Sequence, residues 1–322
     1  MKQLLAYCLS IILCVSFTGC MENYLDLYPE DKITSASFPE NESDIKLLLN
    51  GVYAQLREKE VYNQGLFGFG ITDGATPNAF NWGTDEVFNK LGAGRLSSSD
   101  GGVVTYRWKR CYEIISRANY LLACMDLVDL SEEAKAKYSG ETHFLRGLAY
   151  SVLAETYGGV PIILTDISTE EARSLKRASL EETWQQALDD YEVAITNLGV
   201  DAPEPGRATK GAALGMKMRA YLYQGKYKEV LSCVEQIDAL KKYGLFHSYE
   251  GLFDPANENN KEVLFDIQYI EGENSQGSYI DQYCGTGTGS WTRGSRYVPT
   301  DDLVAAYETI DGSPVDLSLI HI

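Results

Sequence analysis

A mainly α-helical fold of stacked hairpins, with long irregular loop inserts and a few short strands, is what this sequence predicts. Three observations carry that expectation. Apolar residues recur at spacings of three and four over several long stretches, the pattern of helices that bury one face. Around 207–239 a helix rich in small residues, a Gly-x-Tyr turn and a second helix follow one another. That is the logic of tetratricopeptide-like helical hairpins, which bury their apolar faces by stacking on neighbours. Between the helices lie two stretches, 61–102 and 271–295, rich in glycine and aromatic residues and without any period. With 44% hydrophobic and 23% charged residues, the 322-residue chain has the balance of a packed globular protein.

The two ends are read separately. Met1-Lys2 leads into an apolar run, Leu4–Phe17, and then Thr18-Gly19-Cys20. The run is short for a bilayer span and stands where a secretory signal stands. Small residues before Cys20 resemble a lipobox, although Phe17 replaces the aliphatic residue usual there. Residues 1–19 are therefore expected to be a signal peptide and Cys20 the lipid anchor. At the far end, Leu317–Ile322 resembles a translated sequencing-library adapter. One domain is expected over 20–316, with 317–322 a non-native tail and the chain an N-terminal fragment, so His321 carries no functional weight. The net charge of −18 argues against nucleic acid and against electrostatic adhesion to anionic lipid.

In order, Asp44–Arg57 carries Ile45, Leu48, Leu49, Val52 and Leu56 on one helical face, with Ser43 as the expected N-cap. Trp108, Tyr112, Ile115, Asn119 and Leu122 mark a second helix, paired as a hairpin with a third over Glu133–Tyr157. That third helix is the centre of the chain. Leu145, Leu148 and Val152 form its stripe, Gly158-Gly159 stop it, and Pro161 prevents its continuation. A fourth helix is expected over Arg177–Leu198 and a fifth after Arg207, with Leu214, Met218 and Tyr221 on its apolar face. After Gly225, Tyr227, Val230, Leu231, Val234 and Ile237 are expected to face back onto it. Lys261–Tyr269 alternates Val263, Phe265, Ile267 and Tyr269 and reads as a half-buried strand.

Little here points to catalysis. His143 and His247 lack partner motifs, and HExxH, GxSxG and P-loop signatures are absent from the sequence. Gly285–Gly289 lacks the spacing and the following helix of a phosphate cradle. Cys111 and Cys124, on one helix, stand about 20 Å apart, beyond disulfide reach. No cysteine or histidine cluster calls for a metal, and no cofactor is expected. Sugar recognition does fit, because sugars stack C–H faces on aromatic rings and offer hydroxyls to planar polar groups. Trp108 and Trp184 lie on helical periods and are expected in the core. Trp82 and Trp291 lie on none. The ligand candidates are therefore Trp82 with Asp73, Asn78, Asn81 and Asp85, and Trp291 with Tyr283, Arg293 and Arg296.

The block Phe144-Leu145-Arg146 through Gly158-Gly159-Val160-Pro161 resembles the "FLRAxxYFxLxxxFGGVP" stretch of SusD/RagB surface lipoproteins. Asn50-Gly51-Val52-Tyr53, the helix from Trp108, Arg207–Ala213, and Pro299 to Gly312 resemble further motifs of that family, in the family's order. The resemblance implies an α-helical, non-catalytic lipoprotein on the outer face of the outer membrane. Such a protein would bind a glycan and deliver it to a SusC-like TonB-dependent transporter. The alternatives are a peptide-binding member of the family, a helical scaffold that binds protein, and a secreted glycosidase using one carboxylate pair.

Overall fold

The computed structural model describes residues 38–57, 74–81, 90–97, 99–269, 297–309 and 311–314. Contacts divide the chain into Met1–Glu40 and Asn41–Ile322. Every element named below belongs to the second unit. In order these are α1 (Glu42–Tyr53), β1 (Ala79–Asn81), α2 (Val103–Cys124), α3 (Glu132–Tyr157), α4 (Thr169–Ser174), α5 (Leu180–Asn197), α6 (Lys210–Tyr223), α7 (Tyr227–Ala239), β2 (Tyr297–Pro299) and α8 (Asp301–Ala305). Short 3-10 turns at Ala54–Arg57, Glu250–Phe253 and Pro255–Asn257 complete the set.

The mainly α architecture is as the sequence predicts. α2 packs on α3, α3 on α5, α5 on α6 and α6 on α7, while α1 lies across α2 and α3. Polar side chains cap these helices except α2 and α7, whose N-caps Gly102 and Lys226 make no side-chain capping bond. Asn41 accepts the Asp44 N–H at the head of α1, so the cap lies two residues before the expected Ser43. Ser131 and Thr209 cap α3 and α6, and reciprocal Ser–Glu capping boxes open α4 and α5.

The central helix exceeds its predicted stripe. From Phe144 to Ala154 every residue of α3 is buried, because α1 and α2 cover one side and α5 and α6 the other. Close approach to α5 has a visible cause. A Cβ on Gly147 would stand 3.0 Å from the Tyr191 ring and 3.1 Å from the Ala187 carbonyl oxygen. At Gly159 it would meet the Ala178 carbonyl oxygen at 2.0 Å.

Three expectations are corrected. α5 begins at Leu180, not Arg177, because Ser179 is the cap. Arg177 instead donates to the carbonyl oxygens of Tyr157 (2.5 Å) and Gly159 (2.6 Å), closing the C-terminal end of α3. Lys261–Tyr269 forms no ladder with any described residue. It is extended chain laid over the helices: Phe265 meets Phe144 edge-on at 4.9 Å, while its neighbour Leu264 abuts Gly215. Successive side chains thus both find apolar contact, and period two has no sheet to serve. On α7, Cys233 is buried, but Tyr227 and Leu231 are 67% and 64% exposed. The stripe Val230, Cys233, Ile237 faces α6. Tyr227, Leu231 and Val234 form a second stripe with no described helix against it. Cys111, Cys124 and Cys233 are buried free thiols.

Candidate functional site

Two polar joints hold the helical row in register. In the first, the buried Arg146 on α3 forks onto Asp190 of α5 through Nε (3.1 Å) and Nη2 (2.7 Å). Its Nη1 donates to Asn119 Oδ1 on α2 at 2.8 Å. Asn119 in turn donates to the carbonyl oxygens of Ile163 and Thr165, and Tyr112 donates to that of Pro161. The chain leaving the Gly-Gly-Val-Pro stop is thereby fastened across three helices. Buried backbone groups need such partners, which explains a planar cation and an amide inside an apolar core.

The second joint ties α1 to α3 and α6. Tyr53 donates to Glu141 Oε2 at 2.8 Å and accepts the Ala208 N–H at 2.9 Å. Arg207 lies over the Tyr53 ring at 4.9 Å, reaches Glu141 at 3.4 Å and donates to Asn50 Oδ1 at 2.5 Å. Burial pushes the Glu141 carboxyl above its ordinary range, against the lowering pull of Tyr53 and Arg207. Tyr53 is raised well above its ordinary value, by burial first and then by the neighbouring Glu141. Periodicity marks Asn119 as inward-facing but gives no sign of the bonds in either joint.

The expected ligand region is rooted elsewhere. β1 and β2 pair antiparallel, with Ala79 opposite Pro299, Phe80 opposite Val298 and Asn81 opposite Tyr297. The pairing continues beyond the strands: the Thr300 N–H donates to the Asn78 carbonyl at 3.0 Å, and the Thr300 hydroxyl to that of Pro77. Thr300 also caps α8. A segment of the first Gly-rich, aromatic-rich stretch (61–102) therefore meets the segment just after the second (271–295) in a two-stranded ladder. On it the Asn78 side chain is exposed and the Phe80 ring is 51% exposed. An open aromatic face beside an amide is chemistry suited to a sugar ring.

Of the ligand candidates, Asn78 and the backbone of Asn81 lie in this ladder. Trp82, Asp73, Asp85, Tyr283, Trp291, Arg293 and Arg296 lie outside the described residues, as does Cys20. In sequence, Trp82 is the next residue after β1 and Arg296 the last before β2. Trp184 is 5% exposed and lies in the core as predicted, while Trp108 is half-buried and packs against the core beside Tyr112 and Tyr157 at 5.1 and 5.2 Å. His143 Nδ1 lies 2.8 Å from the Ser139 carbonyl of its own helix, and burial lowers its pKa. No group of three or more metal-ligating side chains occurs among the described residues. Nor is any described helix long and apolar enough to cross a membrane.

This row of helices, with a small two-stranded ladder beside it, is the architecture of a known class of proteins. The model of the SusD-like family, described as starch-binding and associating with the outer membrane, matches residues 23–222. The chain belongs to that family. SusD-like protein P25 of Formosa agariphila is 26% identical over 92% of this chain and 58% of its own length. A SusD-like protein of Bacteroides ovatus is 23% identical over 79% of this chain and 48% of its own. Among solved structures, a SusD-like carbohydrate binding protein of Bacteroides fragilis superposes with a TM-score of 0.74 at 28% identity, covering 85% of this chain and 55% of that one. A laminarin-binding SusD-like protein gives a TM-score of 0.66 at 22% identity, covering 80% and 55%, and shows the shared fold. The chain thus spans about half the length of these relatives.

Proposed function

We propose that this chain recognises a glycan at the loops rooted in the β1–β2 ladder and performs no turnover. The observation that supports this best is the ladder itself. It joins two segments, far apart in sequence, that each lead into a stretch holding a loop tryptophan and several planar polar side chains. Trp82 and Trp291 supply stacking faces, with Asn78, Asn81, Asp73 and Asp85 on one side and Tyr283, Arg293 and Arg296 on the other. Membership of a family described as starch-binding, and structural kinship to a protein named for carbohydrate binding, support the same reading. Cys20 is the lipid anchor on the outer membrane, and a SusC-like TonB-dependent transporter receives the cargo.

The test is titration calorimetry of the full chain with maltoheptaose and laminarihexaose, for wild type and for Trp82→Ala/Trp291→Ala. Ring stacking contributes about 0.5–1.5 kcal/mol for each partner, so the double variant should bind at least about fivefold more weakly with its helical spectrum intact. Unchanged affinity would sink the loop assignment. Binding of peptides but of no glycan would transfer the site to a peptide ligand.

A further inference from the structure

Where segment 261–269 crosses the helices it leaves two open hollows, of about 190 and about 310 Å³. They share the walls Pro205-Gly206-Arg207 and Phe265-Asp266, and so form one trough. Asn50 and Tyr53 of α1 line its first compartment, opposite Ile267 and Gln268. Together the compartments reach the lower part of the size range of small-ligand sites, about 300–1,000 Å³.

The polar groups of the trough are held but not exhausted. Arg207 is fixed by Glu141, Asn50 and the Tyr53 ring, so its guanidinium is oriented before any ligand arrives. Asn50 spends its Oδ1 on Arg207, and its amide N–H groups have no partner among the described residues. Gln268 makes one long bond, Nε2 to Asn259 Oδ1 at 3.3 Å, and its carbonyl oxygen has no partner among the described residues. The half-buried Asp266 carboxylate has no hydrogen bond or ion pair among the described residues, although it lines both compartments. Donors and acceptors thus alternate around the apolar surfaces of Phe265 and Ile267. A hydroxyl group, which both donates and accepts, suits such a rim.

Charge narrows the ligand. The cations lining the trough, Arg57, Arg207, Lys242 and Lys261, are balanced by Asp201, Glu204 and Asp266 in its walls and by Glu141 behind Arg207, so the lining favours neither sign of charge; Asp266 itself has no ion pair among the described residues. An anionic sugar would bring like charge to that carboxylate. We propose that this trough is a second saccharide subsite, built on the helical row, that holds a neutral sugar segment by hydroxyl bonds to Asp266, Gln268 and Asn50. It rests on the reading of the chain as a glycan binder, and it gives that site its chemical class.

Hydrogen–deuterium exchange of the full chain, with saturating maltoheptaose or laminarihexaose, locates both sites at once. Wild type should gain protection in 50–57, 205–209 and 261–268 as well as at the ladder, 74–81 and 297–300. Asp266→Asn, which breaks no described contact, should weaken trough protection at least fivefold and leave the ladder response unchanged. Trp82→Ala/Trp291→Ala should do the reverse. Protection of the ladder without the trough overturns the second subsite and leaves the glycan reading standing. Protection of neither overturns both. Stronger trough protection by oligogalacturonate than by the neutral sugars overturns the neutral ligand class.

Discussion

Single residues show how sharply space decides what a position tolerates. A Cβ on Gly51 would stand 3.6 Å from Arg117, an ordinary contact, so Gly51→Ala should gain up to about 1 kcal/mol from helix propensity. Gly159→Ala meets backbone instead and should cost about 3 kcal/mol in urea unfolding, at the upper end of overpacking penalties. Equal midpoints for the two variants would refute the packing account. Both glycines stand out in the sequence, but only the fold separates them: the space beside each is set by an element distant along the chain. Asn119 is a similar case. Its place on the helical period marked it as inward-facing, while the carbonyl oxygens it satisfies come from the exit segment after Pro161.

At the level of elements, α3 depends on its buried pair. Removing one partner strands the other charge, so Arg146→Met should cost about 3–5 kcal/mol. Arg146→Met/Asp190→Leu should recover a large part of that loss, and a double-mutant cycle by urea unfolding reads the coupling. Equal losses for the single and double variants would show that packing, not the ion pair, sets the cost. Every long helix was legible from its period, because one buried face imposes spacings of three and four. The exceptions share one physical origin. Periodicity announces an apolar face but not what covers it. The outer stripe of α7, with Leu231 64% exposed, and the extended segment 261–269 were therefore misassigned.

For the whole molecule, buried phenols make alkaline pH the sensitive limit. Tyr138, Tyr150 and Tyr157 are pushed up to about 12 from 10.0, chiefly by burial. The folded chain keeps these protons where the unfolded chain has lost them. Their contribution is whole below pH 10 and is lost as pH rises through about 12. Circular dichroism and tyrosinate absorbance should therefore change together over that window. Full tyrosinate absorbance near pH 10 with the helices intact would contradict it. Of the proposed ligand site, sequence marks the two aperiodic stretches, since broken periods and stray tryptophans are visible in one dimension. It did not supply their common root, nor the trough, whose walls come from α1, the approach to α6 and segment 261–269. The ladder carries a last consequence. Its Thr300–Pro77 bond spans 223 residues, whereas the helices pack mostly on their neighbours in sequence. Loop closure grows only with the logarithm of length, about 0.6 kcal/mol for each doubling. Insertions in the stretches that leave β1 and enter β2 therefore cost the fold little, and evolution is free to rewrite those stretches while the helical row stays constant.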